Sequence, residues 1–278
     1  MKDFRGKHRN RSWPPARPAP REDVRKPRER RDETPGGDRD IVYGAEPIRE
    51  LIAAAPEAIR ALYVKQGSDR HFSSEIERVR TGGGRVEILD DAGIARVAGE
   101  TARHQGIAAL MRPYEYAALA DFLRDKPDPI VLVDGVTDPR NLGALMRSAE
   151  GAGVNAIVIA KDRTAAITPA AIKASAGAWI HLKVVQCGNV ARTLEELKGA
   201  GYWIAALAPG GGTSIYDLDV SRKLVIVVGS EDRGVREIVR KNADFVVGIP
   251  MRGRVASLNV SVAAAVALFE IARRRAAV

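Results

Sequence analysis

Apolar positions divide the chain into three stretches. From residue 130 onward, short and nearly unbroken apolar runs recur: Ile130–Asp134, Ala156–Ile159, Leu182–Val185, Tyr202–Leu207, Leu224–Val228 and Phe245–Ile249. Runs of this kind predict strands buried on both faces, as parallel strands are. The segments between them carry helical spacing, as at Leu142, Leu145, Met146 and Ala149. Region 130–278 is therefore predicted to be an α/β domain, a parallel sheet covered by helices on both sides. Val260 to Arg273 reads as the last helix, apolar nearly all round, and such a helix must be covered on more than one side.

Residues 41–113 predict a smaller α/β unit. Pro47–Ala55 can start a helix with Pro in its first turn. Leu62–Lys65, Val86–Leu89 and Gln105–Leu110 read as strands, Ser73–Arg80 as a helix, and Gly82-Gly83-Gly84 as a helix-to-strand turn. A linking helix is expected over Tyr114–Asp125, with Lys126-Pro127-Asp128-Pro129 closing a linker of residues 114–129. Residues 1–40 hold 13 Lys/Arg, 8 Asp/Glu and 6 Pro, with little that could be buried. They are expected to be a disordered basic tail, either a solubilising extension or an auxiliary RNA-binding arm.

Charge narrows the partner. A net charge of +9 and a pI near 9.8 favour a polyanion such as nucleic acid. Cys187 is the sole cysteine, and His8, His71, His104 and His181 are scattered without ligand spacing, so no disulfide framework or metal cluster is expected. No apolar run reaches membrane-spanning length and no N-terminal segment suits a secretory signal, which predicts a cytoplasmic protein. The triple glycine lacks the spacing of a dinucleotide loop, which argues against a nucleotide-dependent oxidoreductase.

Ligands of open parallel sheets bind beyond the carboxyl ends of the strands, which directs attention to three loops. The first contains Asn141-Leu142-Gly143 and, one turn on, Arg147. The second is Gly229-Ser230-Glu231-Asp232-Arg233-Gly234. The third runs from Ile249-Pro250-Met251 to Ser257-Leu258-Asn259-Val260-Ser261. Taken singly, each has a plain structural reading: a capping Asn141 with a solvated Arg, a charged turn, and a loop whose Ser257 or Asn259 caps a helix. A Glu at the mouth of a buried strand, bracketed by two Gly, is odd for a mere turn, and the glycines permit close backbone approach to a ligand.

Together, and in this order, the loops resemble the N-x-G-x-x-x-R, G-x-E-x-x-G and I-P-M…S-L-N-V-S motifs of the SpoU (TrmH) family of RNA 2'-O-methyltransferases, which use S-adenosyl-L-methionine (AdoMet). Ile41-Val42-Tyr43-Gly44 and His104-Gln105-Gly106-Ile107 are similar to the substrate-binding domain of the branch acting on guanosine of 23S rRNA, a domain resembling ribosomal protein L30e. The resemblance implies a deep trefoil knot in the C-terminal domain and a homodimer. It implies AdoMet held at Gly229, Ile249, Met251 and Leu258. It also implies a catalytic set of Asn141, Arg147, Glu231, Ser257 and Asn259. Arg147 would hold the RNA phosphate and stabilise the developing alkoxide, since an Arg is a poor base. Asn141 and Asn259 would orient Arg147 or the ribose, Glu231 would fix either, and Ser257 would join the same polar network. A tRNA substrate is the alternative within the family, and a non-catalytic RNA-binding or ribosome-assembly protein the alternative outside it.

Overall fold

The computed structural model describes residues 40–277. The basic tail, apart from Asp40, falls outside them. The first sheet is built by β1 (Ile41–Tyr43), α1 (Ala45–Ala54), β2 (Ile59–Lys65), α2 (Ser73–Thr81), β3 (Arg85–Leu89), α3 (Asp91–Ala98) and β4 (Ile107–Met111). Its order is β1-β4-β2-β3, with β2 parallel to β3 and antiparallel to β4. The helix predicted from Pro47 starts two residues earlier, at Ala45, which leaves Pro47 in the first turn. Two elements were not expected. β1 is three residues long and pairs only with β4. α3 contains a Gly but is capped by Asp90, whose carboxylate accepts from the Gly93 N–H at 2.7 Å.

The segment expected to be one linking helix, Tyr114–Asp125, is helical only over α4 (Leu119–Arg124). Tertiary contacts hold its first part extended. Tyr114 packs edge-on against Tyr116 and Trp179, the Tyr116 hydroxyl accepts from the Ile167 N–H, and Ala117 bridges to Val185.

The larger sheet comprises β5 (Ile130–Val133), β6 (Ala156–Ala160), β7 (Lys183–Cys187), β8 (Trp203–Leu207), β9 (Thr213–Ser214), β10 (Leu224–Val228) and β11 (Phe245–Gly248). Its helices are α5 (Pro139–Gly151), α6 (Pro169–Ser175), α7 (Val190–Gly199), α8 (Glu237–Asn242) and α9 (Val260–Ala276). The order is β7-β6-β5-β10-β8-β11-β9, with all neighbours parallel. β10 thus lies between β5 and β8, and β11 between β8 and β9, each between strands that precede it in sequence. Every residue of β5, β6 and β10 is buried, which is why these runs carry no polar alternation. One apolar layer joins the sheet to α5, α6 and α9, and a second joins it to α4, α7 and α8. Cys187 lies in the second layer, where burial pushes its thiol pKa up.

Candidate functional site

The three loops meet at the carboxyl ends of the strands. α5 begins at Pro139 and is capped by Asp138, which accepts from the Arg140 N–H at 2.8 Å. Asn141 is therefore not the cap. It lies in the first helical turn with its side chain free for other work. Gly143 has a packing reason: a Cβ there would come within 2.3 Å of the Ala171 carbonyl oxygen, so only Gly allows α6 to cross so close.

The Gly229–Gly234 loop closes on itself. Ser230 N–H donates to the Gly234 carbonyl at 3.0 Å, and Gly234 N–H returns a bond to Ser230 at 2.8 Å. A Cβ on Gly229 would lie 2.2 Å from the carbonyl carbon of Gly234. The close approach foreseen at Gly229 is thus made first by the chain itself. Gly234 has φ +65°, a conformation that L side chains rarely adopt. The loop is braced from below by an ion pair that the sequence reading missed: Arg236 Nε donates at 2.6 Å to Asp134, a carboxylate only 2% exposed at the end of β5. Burial of an aspartate at the end of an apolar run was the available signal, since such a charge needs a partner.

Glu231, raised on this loop, accepts from Asn141 Nδ2 at 2.6 Å, while Asn141 Oδ1 accepts from Asn259 Nδ2 at 3.1 Å. Asn259 Oδ1 caps α9, accepting from Ser261 N–H at 2.9 Å and from Ser261 Oγ at 2.6 Å. Residues far apart in sequence, one from each loop, are thereby joined in a single hydrogen-bonded line. Asn259 is thus the cap of α9 and, in the same geometry, the hydrogen-bond partner of Asn141.

Two expected members stand apart. Arg147 is on the exposed side of α5, and the Glu231 oxygen nearest the network is taken by Asn141 rather than by the arginine. Ser257 is exposed on the third loop, and the network receives Ser261 in its place. Beside the network opens a cavity of about 400 Å3, lined by Leu207, Val228, Gly229, Glu231, Ile249, Met251, Ser257 and Leu258 among others. Its volume falls within the range of small-molecule sites. Met251 and Leu258 are 39% and 37% exposed, apolar surface that a ligand would cover. Gly229, Ile249, Met251 and Leu258 are therefore brought to one cavity wall; Arg147 does not line it. Among the described residues no group of acidic, His or Cys side chains could hold a metal ion.

A parallel α/β sheet with a cavity of mixed apolar and polar lining beyond its carboxyl edge, joined to a second α/β unit, has the form of a two-part α/β protein with a small-molecule site. Residues 128–269 match the SpoU rRNA Methylase family, and residues 41–117 match the substrate-binding domain of RNA 2'-O ribose methyltransferases. The chain belongs to the SpoU (TrmH) family and is an RNA 2'-O-ribose methyltransferase. An uncharacterized tRNA/rRNA methyltransferase of Mycobacterium avium is 39% identical over 257 residues, covering 90% of this chain and 81% of its own. A Staphylococcus haemolyticus protein named to the TrmH family of tRNA/rRNA methyltransferases is 34% identical over 241 residues, covering 84% and 96%. The SpoU methyltransferase AviRb of Streptomyces viridochromogenes, solved with AdoMet, shares the fold at a TM-score of 0.69 and 21% identity, covering 86% of this chain and 91% of its own. A solved RNA 2'-O ribose methyltransferase has a TM-score of 0.63 at 26% identity, with coverage of 86% and 89%.

Proposed function

We propose that this enzyme methylates a guanosine ribose of 23S ribosomal RNA, using AdoMet seated in the cavity of Gly229, Ile249, Met251 and Leu258. The observation that carries the methyl-transfer reading is the Glu231–Asn141–Asn259 junction at the edge of that cavity. AdoMet supplies an electrophilic methyl carbon when bound. The protein's part is to hold the 2'-hydroxyl in line with that carbon and to polarise its O–H bond. Glu231 has one carboxylate oxygen engaged by Asn141, and its other oxygen accepts from the ribose hydroxyl. Arg147, exposed and outside the relay, binds the adjoining RNA phosphate and faces the developing charge on oxygen. Ser257, exposed on the cavity wall, contacts the substrate side.

Residues 41–113 choose the RNA and residues 130–278 carry the chemistry. The net charge of +9 suits a polyanionic substrate. The late insertion of β10 and β11 between earlier strands supports the knotted C-terminal path of the family. Val262 and Phe269 of α9 are 47% and 50% exposed on a helix whose other face is buried, and a second copy of the chain covers them in a homodimer. No helix of the described residues is long and apolar enough to cross a membrane, and the enzyme works in the cytoplasm with its RNA. Mapping of ribose methylation in rRNA and tRNA with and without this gene tests the substrate. Loss of one guanosine methylation in 23S rRNA, restored by the gene but not by Arg147→Ala, is expected; loss confined to tRNA would replace this substrate with the family's other one.

A further inference from the structure

The buried polar side chains among the described residues are Asp134, Ser175, Thr193 and Ser261. Ser175 and Thr193 donate to backbone carbonyls of their own helices, at Ile172 and at Asn189, and Asp134 holds Arg236. Ser261 differs. It is 8% exposed in a helix start that is otherwise apolar, and its hydroxyl donates at 2.6 Å to the side chain of Asn259. A hydroxyl at a buried helix position is a cost unless a hydrogen bond satisfies it.

The direction of the bonds around it follows from donor and acceptor logic. The Ser261 backbone N–H can only donate, so the Asn259 atom facing it must be the oxygen. Asn259 then presents its NH2 to Asn141, which must answer with its own oxygen. Asn141 in turn presents its NH2 to Glu231. Reversing Asn259 would set its NH2 against the Ser261 N–H and its oxygen against that of Asn141; reversing Asn141 would set its NH2 against that of Asn259 and its oxygen against the Glu231 carboxylate. The line of bonds therefore has one direction, starting at the head of α9 and ending on a carboxylate.

We propose that Ser261 is a positioning residue for methyl transfer: its backbone N–H sets which way the Asn259 amide points, its hydroxyl adds a second donor that holds that amide in place, and through Asn141 the two fix Glu231 with one oxygen held and the other left to accept from the substrate ribose. The inference rests on Glu231 facing the substrate, as proposed above. It gives the cap of α9 a second duty, the aiming of a side chain on a different loop.

The experiment compares the full-length chain with Ser261→Ala, Ser261→Thr and Asn259→Asp. The alanine change removes the hydroxyl but leaves the backbone donor. The aspartate change keeps an acceptor for the cap, so α9 stays capped, but removes the donor to Asn141. The substrate is deproteinised ribosomal RNA from cells lacking the gene. For Ser261→Ala, kcat should fall about tenfold, the worth of one buried hydrogen bond, with the KM for RNA and the calorimetric Kd for AdoMet unchanged. Ser261→Thr should recover most of the loss. Asn259→Asp should lose about a hundredfold in kcat, the worth of a charge-assisted bond, with its thermal midpoint retained. In 15N-labelled protein without ligand, the side-chain amide signals of Asn259 and Asn141 should shift together in Ser261→Ala. Unchanged amide signals, or an unchanged kcat with shifted signals, would overturn the proposal. A wild-type chain that transfers no methyl group to any ribosomal RNA would sink the functional reading instead, and the amide signals would still decide whether the relay exists.

Discussion

Gly229 shows how little room the site leaves at single residues. A methyl group there would meet the Gly234 carbonyl carbon at 2.2 Å and the Val235 nitrogen at 2.4 Å, and both are backbone atoms that cannot swing aside. Gly229→Ala should open the loop's paired hydrogen bonds and carry Glu231 away from Asn141. We expect methyl transfer to fall at least tenfold and the folding free energy to drop by about 1–3 kcal/mol, the range for overpacking; single-turnover assays and urea denaturation read the two. Wild-type activity in this variant would mean that the loop is not part of the site. Of the residues that carry the relay, Asn141, Glu231 and Asn259 were legible as motif members on three post-strand loops. Ser261 was read only as a letter of the third motif, with no role, and the Asp134–Arg236 pair was not read at all, because each acquires its meaning from a partner that only folding supplies. Arg147 and Ser257 were legible as candidates, but their assignment to one network with Glu231 was not borne out by the hydrogen bonds of the folded chain.

At the scale of elements, six of the seven strands of the large sheet could be read to within two residues, because burial leaves their runs mostly apolar, whereas the two-residue β9 left no pattern to read. The failures have separate causes. β1 is too short to show a period, α3 carries Gly93 in its first turn, and the 114–118 segment is held extended by Trp179, Ile167 and Val185, all distant in sequence. The end of α9 is a further case. It runs past Arg273 to Ala276 because the next two arginines are used for packing. Arg274 donates to the carbonyls of Tyr216 and Leu218, and Arg275 to those of Val220 and Arg222 and to the Asp128 carboxylate. These bonds tie the helix end to the segment between β9 and β10. Arg275→Ala takes the side-chain donor from two carbonyls and one of two donors from the Asp128 carboxylate, which keeps the Leu224 N–H, and should lower stability by about 1–3 kcal/mol. Arg275→Lys should recover less than half, since one ammonium cannot span three acceptors. Guanidinium denaturation of both variants is the check, and equal stability of Arg275→Ala and wild type would remove this role.

For the molecule as a whole, the strand order has a consequence in time. β5 and β8 flank a position filled only by β10, and β8 and β9 flank one filled only by β11. Until those strands arrive, inner edges with unpaired N–H and C=O groups stay open. Contacts of this long range form slowly. Pulsed hydrogen exchange during refolding should therefore protect β6 and β7 before β10 and β11, and simultaneous protection of all four would contradict the order. The same timetable governs competence. Asn141 belongs to the part that can assemble first, whereas Glu231 follows β10 and Asn259 follows β11. On the division of labour proposed above, a chain lacking its last strands but with residues 41–113 folded would present that unit to RNA with neither the cavity wall nor the carboxylate. Such a chain would occupy its target without modifying it, so methylation itself certifies that the last strands are in place.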